Sequence, residues 1–93
     1  MKYIKVKWSH DSSQYPVMLY SELNENMWEV RKVEIYADGR VGFASGEEHF
    51  GSTELGMSPI PAIEEIALDP QFEPVSISAP EFERIWEKAR AEK

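Results

Sequence analysis

Residues 28–45 read WEVRKVEIYADGRVGFAS, with an apolar run on each side of a turn. The runs predict two antiparallel strands joined at residues 37–39. A two-residue Asp-Gly turn would set Ile35 opposite Gly42 and would mix apolar with polar side chains on each face. A three-residue loop, with its glycine left-handed at a bulge, pairs Ile35 with Val41 instead, so we predict that register.

Two more strands precede this hairpin. Ile4, Val6 and Trp8 alternate with lysines, a pattern typical of a strand with one buried and one solvated face. The next strand follows Pro16 and ends at the polar residues 24–26. Together with the hairpin, these strands predict an antiparallel meander.

The third strand changes parity along its length. Trp28 and Val30 fall on the opposite parity from Val33, which the predicted register pairs with Phe43. This strand therefore either bulges near residues 31–32 or buries side chains on both faces, and the pattern fits both.

The second half of the chain contains five of the six prolines, all between Pro59 and Pro80. Isoleucines at helical spacing predict a short helix from Pro61 to Leu68. Residues 71–77 are then predicted to form an extended linker.

A second helix has a clear start signal. Ser78 and Glu81 fit a capping box, and Ile77 with Phe82 fits the hydrophobic staple around it. Apolar residues then recur at helical spacing and predict a stripe that docks on the sheet: Phe82, Ile85, Trp86 and Ala89.

These elements predict one α+β domain over residues 1–93. We expect two layers, with a four- to five-stranded, mainly antiparallel sheet packed against the C-terminal helix, plus one short helix. The sequence has no cysteine, which excludes disulfides and thiolate chemistry. It also has no apolar run long enough for a membrane span, so we expect a cytoplasmic protein without a membrane partner.

The formal net charge of −7 is unevenly distributed. Residues 47–83 contain nine acids and no Lys or Arg, whereas residues 1–46 contain six acids and six bases. An acidic segment attracts a basic partner and repels nucleic acid, although acidic faces also serve solubility alone. The main hypothesis is a small acidic protein-binding module that uses this segment. Its candidate binding residues are Glu47, Glu48, His49, Glu54, Glu64 and Glu65.

The alternative hypothesis is a small enzyme or ligand-binding domain. It would use His10, His49 and the carboxylates near them for acid/base work or for a metal. The spacing matches no metal motif, and isolated histidines beside acids are usually solvated. We therefore expect no catalytic residue, metal or cofactor.

Residues 45–57 have no helical periodicity and contain three glycines. They fit a ligand loop, because glycines allow close backbone approach. They also fit an edge strand over residues 50–55 flanked by turns, and both interpretations stay open here.

A basic and aromatic sheet face is a third possibility for function. Lysines at the predicted solvated face would lie beside Tyr3, Tyr20 and Tyr36, as in single-strand RNA binders. Glu22 and Glu34 would share that face, so cross-strand Lys-Glu pairs on a solvated sheet are the favoured interpretation. We expect no nucleic-acid partner.

Residues 28–45 resemble the central block of a bacterial family known only as a domain of unknown function. The resemblance extends to residues 1–8, to Pro59-Ile60-Pro61 with its following helix, and to residues 82–86. It implies no activity and no catalytic residue. In size and charge, the chain is similar to immunity or antitoxin partners, or to a regulatory partner, by analogy alone.

Overall fold

The computed structural model describes all 93 residues and contains one sheet and two helices. The strands are β1 (Lys2–Trp8), β2 (Met18–Leu23), β3 (Glu29–Ile35), β4 (Val41–Ser45), β5 (His49–Phe50) and β6 (Phe72–Ser76). The helices are α1 (Ile63–Ile66) and α2 (Ala79–Ala91). The spatial order is β5-β4-β3-β2-β1-β6, and every neighbouring pair is antiparallel. The α+β fold with a C-terminal helix is confirmed, but the sheet has six strands rather than four to five.

The β3–β4 hairpin has the predicted register. Ile35 lies opposite Val41 and Val33 lies opposite Phe43. Gly39 is left-handed, with a φ of 92°, as the three-residue loop requires. The apolar pairing therefore selects the longer loop over the two-residue turn.

Strand β3 resolves its change of parity by a bulge. Arg31 lies opposite Glu22 while Glu29 lies opposite Leu23, so Val30 is the extra residue. The strand also buries side chains on both faces, with Val33 on one and Glu29 on the other. Both interpretations of its sequence are thus correct.

Helix α2 covers one face of the sheet, here called the helix face. The Ser78 hydroxyl accepts a hydrogen bond from the backbone N–H of Glu81 at 3.2 Å, which confirms the predicted cap. Such a cap contributes about 1 kcal/mol. The core of this layer consists of Val33, Phe43, Phe82, Trp86 and Ala89.

The opposite face, here called the groove face, is also covered. Ile4 lies opposite Ser21, which lies opposite Lys32, so Ile4 points away from Val33 and α2. A second apolar cluster forms there from Ile4, Val6 and Leu23 with Met27, Ile60, Ile63, Ile66 and Phe72. The prediction of two layers is therefore wrong, because β1 and β3 place their apolar residues on opposite faces.

Residues 54–60 are fixed to the groove face by three hydrogen bonds. The ammonium of Lys32 donates to the carbonyl of Glu54 at 3.3 Å, and the N–H of Gly56 donates to Glu29 at 2.7 Å. The N–H of Ile60 donates to the carbonyl of Met27 at 2.8 Å. This segment crosses the sheet without regular structure, so the predicted edge strand over residues 50–55 is only the two-residue β5.

Two predictions for the second half are corrected. Residues 71–77 are not a linker, because β6 pairs with β1 along its whole length. The edge position tolerates Pro74, since the residues of β6 that bond to β1 are the odd-numbered ones and the missing N–H faces outward. Helix α1 is shorter than the predicted span from Pro61 to Leu68. Neither helix of the chain has the length and apolar character to cross a membrane.

Candidate functional site

A cavity of about 380 Å³ opens on the groove face. It lies between the sheet and the segment that contains α1, and it is here called the groove. Its walls are apolar and come from Ile4, Val6, Leu19, Ile60, Ile66 and Phe72. Its floor is polar, with Ser21, Glu29 and Lys32, and its rim carries Glu65 and Asp69. An apolar cavity of this size with a few convergent polar groups is typical of a binding site.

The floor is organised around the carboxylate of Glu29, whose side chain is 2% exposed. The Ser21 hydroxyl donates to one of its oxygens at 3.0 Å. The other oxygen accepts from the N–H of Gly56 and lies 3.2 Å from the ammonium of Lys32. Both oxygens therefore have partners within the chain, so the floor is structural and leaves the apolar walls and the rim for a ligand.

A second hydrogen-bonded pair lies on the groove face beside this floor. The hydroxyl of Thr53 donates to Glu34 at 2.7 Å. Thr53 sits directly over Gly42, where an added Cβ would lie 2.1 Å from its hydroxyl oxygen. Glycine at position 42 thus allows the loop after β5 to approach the sheet closely.

The nine acids of residues 47–83 divide into two groups. Three of them form ion pairs within the chain: Glu48, Glu81 and Glu83. The other six have no cation of the same chain within ion-pair distance: Glu47, Glu54, Glu64, Glu65, Asp69 and Glu73. Glu65 and Asp69 line the groove, and Glu64 precedes Glu65 in α1.

The candidate binding residues of the sequence analysis do not form one site. Glu47, Glu48 and His49 lie at the β4–β5 turn, where Glu48 pairs with Arg90 at 2.8 Å and Lys93 at 3.1 Å. Lys93 and Arg90 lower the pKa of the Glu48 carboxyl. Glu64 and Glu65 lie instead in α1, and the backbone carbonyl of Glu54 bonds to the floor lysine.

The two histidines are not brought together. His49 lies in β5, whereas His10 follows β1, and β4, β3 and β2 lie between these strands. Four strand spacings correspond to roughly 19 Å. The ring of His10 accepts from the N–H of Ser12 and contacts the carbonyl of Pro16 at 2.8 Å. The structure contains no group of three His, Cys, Asp or Glu residues that could hold a metal ion.

The predicted basic and aromatic face is covered by α2 and is not solvated. Tyr3 packs against Phe82 with ring centroids 5.4 Å apart, and Lys5 pairs with Glu81 at 3.5 Å. Burial, together with the neighbouring Glu22, raises the pKa of Tyr3. Lys32 lies on the groove face, so the lysines do not share one surface.

Arg31 is the central charged residue of the helix face. It donates to Glu22 at 2.6 and 3.0 Å and also to Glu83 on α2. Its guanidinium lies 5.0 Å from the ring centroid of Phe82 and 5.1 Å from that of Trp86. These contacts tie β2, β3 and α2 together.

The pairing of Glu22 with Arg31 predicts an acid-sensitive fold. Hydrogen bonds from Arg31 hold the pKa of the Glu22 carboxyl below its ordinary value. A lowered carboxyl pKa contributes stability above the unfolded pKa, and this contribution is lost as the pH falls through the folded pKa. We expect the free energy of unfolding, measured by urea titration, to fall between about pH 5 and pH 3.

The matched variant for this prediction is Glu22→Gln. It is expected to be less stable than the parent at pH 7 by about 1.5–3 kcal/mol, because it loses hydrogen bonds to a charged group. Its stability should also change less than that of the parent between pH 5 and pH 3. Equal pH dependence in the two proteins would show that this pair does not control acid unfolding.

The sequence analysis missed the apolar walls of the groove as a site. The alternation predicts only a buried strand face at Ile4 and Val6, and Phe72 falls in the predicted linker. The available signal was the apolar spacing of Ile60, Ile63 and Ile66, which needs an apolar surface of its own to pack against. Only the strand register shows that this surface is the side of β1 opposite α2.

The geometry defines a class of protein: a small antiparallel α+β domain with an acid-rimmed apolar groove on the sheet face opposite its main helix. The chain belongs to the family described as "Domain of unknown function (DUF6881)", whose model matches residues 2–91. No protein of curated function and no solved structure matches the chain.

Proposed function

We propose that this chain is a protein-binding module that receives a basic segment of a partner protein in the groove. The observation that carries the proposal is the combination of an apolar cavity with rim carboxylates that have no cation of their own chain. Each half of that combination specifies one property of the partner.

The apolar walls favour a hydrophobic anchor on the partner. Leu19, Ile66 and Phe72 are half-buried and present carbon surface to the cavity, while the polar groups of the floor bond to one another. A Leu, Ile or Met side chain that enters the cavity of about 380 Å³ would remove part of this apolar surface from water. Binding energy in protein interfaces concentrates in such central pockets, with a polar rim around them.

The rim specifies the charge of the residues around the anchor. Glu65 and Asp69 line the groove, Glu64 lies next to Glu65 in α1, and all three residues are exposed. The lysines and arginines of the chain pair mainly on the helix face, at the β3–β4 turn and near the C-terminus. A partner with Lys or Arg beside its anchor would therefore complement the rim and would associate faster at low salt.

The surroundings of the rim add apolar area. Leu68 is 82% exposed and Met57 is 90% exposed, and both flank residues that line or fix the groove. Exposed large apolar residues next to a cavity are typical of interaction surfaces. A role as an immunity, antitoxin or regulatory partner in the bacterial cytoplasm would fit such a surface and forms part of the proposal.

A blocked hexapeptide of sequence RLRRLR is a suitable probe, because it places leucines between basic residues. Its affinity for the chain is measured by calorimetry at low and high salt. We expect binding that weakens as salt is added. The triple variant Glu64→Gln/Glu65→Gln/Asp69→Asn should bind about tenfold more weakly at low salt, because it loses three exposed charge contacts.

The matched control is Glu47→Gln/Glu87→Gln/Glu92→Gln, which has the same net charge and changes residues away from the groove. It should bind the peptide within about twofold of the parent. If both triple variants lose affinity equally, attraction is a property of net charge and the groove has no special role. If the parent does not bind the peptide at low salt, the proposal is wrong.

A further inference from the structure

A cluster of four rings lies at the end of β1 and is here called the aromatic shelf. The ring centroid of Trp8 is 4.5 Å from that of His10, 5.5 Å from that of Tyr15 and 5.6 Å from that of Phe72. Tyr15 is 53% exposed, and Trp8 and Phe72 are half-buried. The shelf therefore presents aromatic surface to solvent.

The shelf is continuous with the groove. Trp8 follows Ile4 and Val6 on the same face of β1, and Phe72 contributes both to the shelf and to the groove wall. The rim residue Asp69 connects the shelf to the groove, because its backbone carbonyl accepts a hydrogen bond from the N–H of Phe72 at 3.0 Å. A carboxylate of the rim thus lies in the same turn as a ring of the shelf.

The orientation of the shelf is fixed by polar contacts. The indole N–H of Trp8 donates to the side-chain oxygen of Gln71 at 3.1 Å. The backbone N–H of Gln71 donates to the Asp69 carboxylate at 2.9 Å. Trp8, Gln71 and Asp69 form a chain of contacts that positions the indole relative to the rim.

Two of the four arginines of this chain stack on aromatic rings outside the shelf. Arg31 covers Phe82 and Trp86, and the guanidinium of Arg40 lies 4.7 Å from the ring centroid of Tyr36. No Lys or Arg of the chain lies over a ring of the shelf. The shelf is thus an exposed aromatic cluster without a cation, and it stands beside a carboxylate that also lacks one.

We propose that the aromatic shelf holds an arginine side chain of the basic partner. This inference rests on the proposed function and names one residue type that the partner contributes. The guanidinium stacks on the exposed ring of Tyr15, beside Trp8, and the rim carboxylate of Asp69 supplies the counter-charge. Arginine fits better than lysine, because its planar, weakly hydrated group stacks on aromatic faces while also bonding to a carboxylate.

The test compares the RLRRLR peptide with a KLKKLK peptide of the same length and charge. We expect the parent to bind the arginine peptide about two- to fivefold more tightly, the preference that an exposed cation–π contact provides. The variant Tyr15→Leu should bind both peptides with nearly equal affinity, while its affinity for the lysine peptide stays within about twofold of the parent. The variant Tyr15→Phe keeps the ring and should keep the preference.

Thermal unfolding checks that both variants are folded, which is expected because Tyr15 is largely exposed. If Tyr15→Leu retains the full preference for arginine, or if the parent has none, the inference is wrong. Equal, salt-sensitive binding of both peptides to the parent would overturn this inference and would still support the proposed function. Absence of binding by either peptide would overturn both.

Discussion

Replacing Trp86 with alanine is expected to lower the free energy of unfolding by about 3–5 kcal/mol. Trp86 is 6% exposed and holds α2 on the sheet. Its ring packs edge-on against Phe43 at 5.3 Å and lies near the guanidinium of Arg31. Alanine would remove these contacts and leave a cavity in the core of the helix face.

The measurement is urea unfolding followed by circular dichroism. A loss of this size is a large fraction of the 5–15 kcal/mol that usually stabilises a domain. The melting temperature should therefore fall by roughly 20 °C. The control is Leu68→Ala, a residue that is 82% exposed, which should change stability by less than about 0.5 kcal/mol. A loss below about 1 kcal/mol for Trp86→Ala would mean that α2 is not docked as described.

The second large effect is expected at the floor of the groove. Glu29→Ala should lower the free energy of unfolding by about 3–5 kcal/mol, because it leaves the ammonium of Lys32, whose side chain is only 15% exposed, without its carboxylate. It also removes the acceptor for Ser21 and for the N–H of Gly56. Residues 54–60 would then be held less firmly against the sheet.

A double-mutant cycle with Lys32 separates this pair from simple packing. The single variants of the cycle are Glu29→Met and Lys32→Met. Lys32→Met alone leaves the Glu29 carboxylate buried with only neutral donors, so it too should destabilise the fold. The double variant Glu29→Met/Lys32→Met removes both charges, and apolar side chains of similar volume often replace a buried pair at little cost. We expect a coupling of about 1–3 kcal/mol. Strict additivity of the single changes would contradict the described ion pair.

The floor matters for the groove even though its polar groups bond to one another. Glu29 fixes Gly56, and Met27 fixes Ile60, so both ends of the segment that forms one wall are attached to the sheet. Met27 adopts a left-handed conformation with a φ of 66°, which is uncommon for a residue other than glycine. The surrounding contacts therefore hold the wall in place against local backbone strain.

Local patterns predicted the elements well where neighbouring residues decide the structure. The pairing of Ile35 with Val41 follows from apolar alternation and from the turn residues between them. The start of α2 follows from the side chain of Ser78, which bonds to the next turn. Both signals lie within about ten residues of the structure they specify.

The wrong predictions have a common cause, because they concern strands that pair with residues far away in the sequence. Residues 72–76 form a strand only because β1 offers a free edge, and that edge is more than 60 residues away in the sequence. The orientation of Ile4 relative to Val33 depends on the register between three strands. A one-residue shift in any of these pairings would exchange the two faces, so the pattern of one strand could not assign the groove.

The placement of the candidate binding residues could not be predicted for a similar reason. A count of charges along residues 47–83 treats all nine acids alike. The fold pairs Glu48, Glu81 and Glu83 with bases from outside this segment, and it leaves Glu64 and Glu65 exposed. Which acids remain available to a partner is therefore set by tertiary contacts.

The most direct test of this account is a map of amide chemical shifts during titration of the RLRRLR peptide into the labelled protein. We expect the changes to cluster around the groove, at Ile4, Val6, Glu65, Asp69 and Phe72. The β4–β5 turn and the outer side of α2 should remain unaffected. Changes concentrated at Glu47, Glu48 and His49, with none around the groove, would contradict the account.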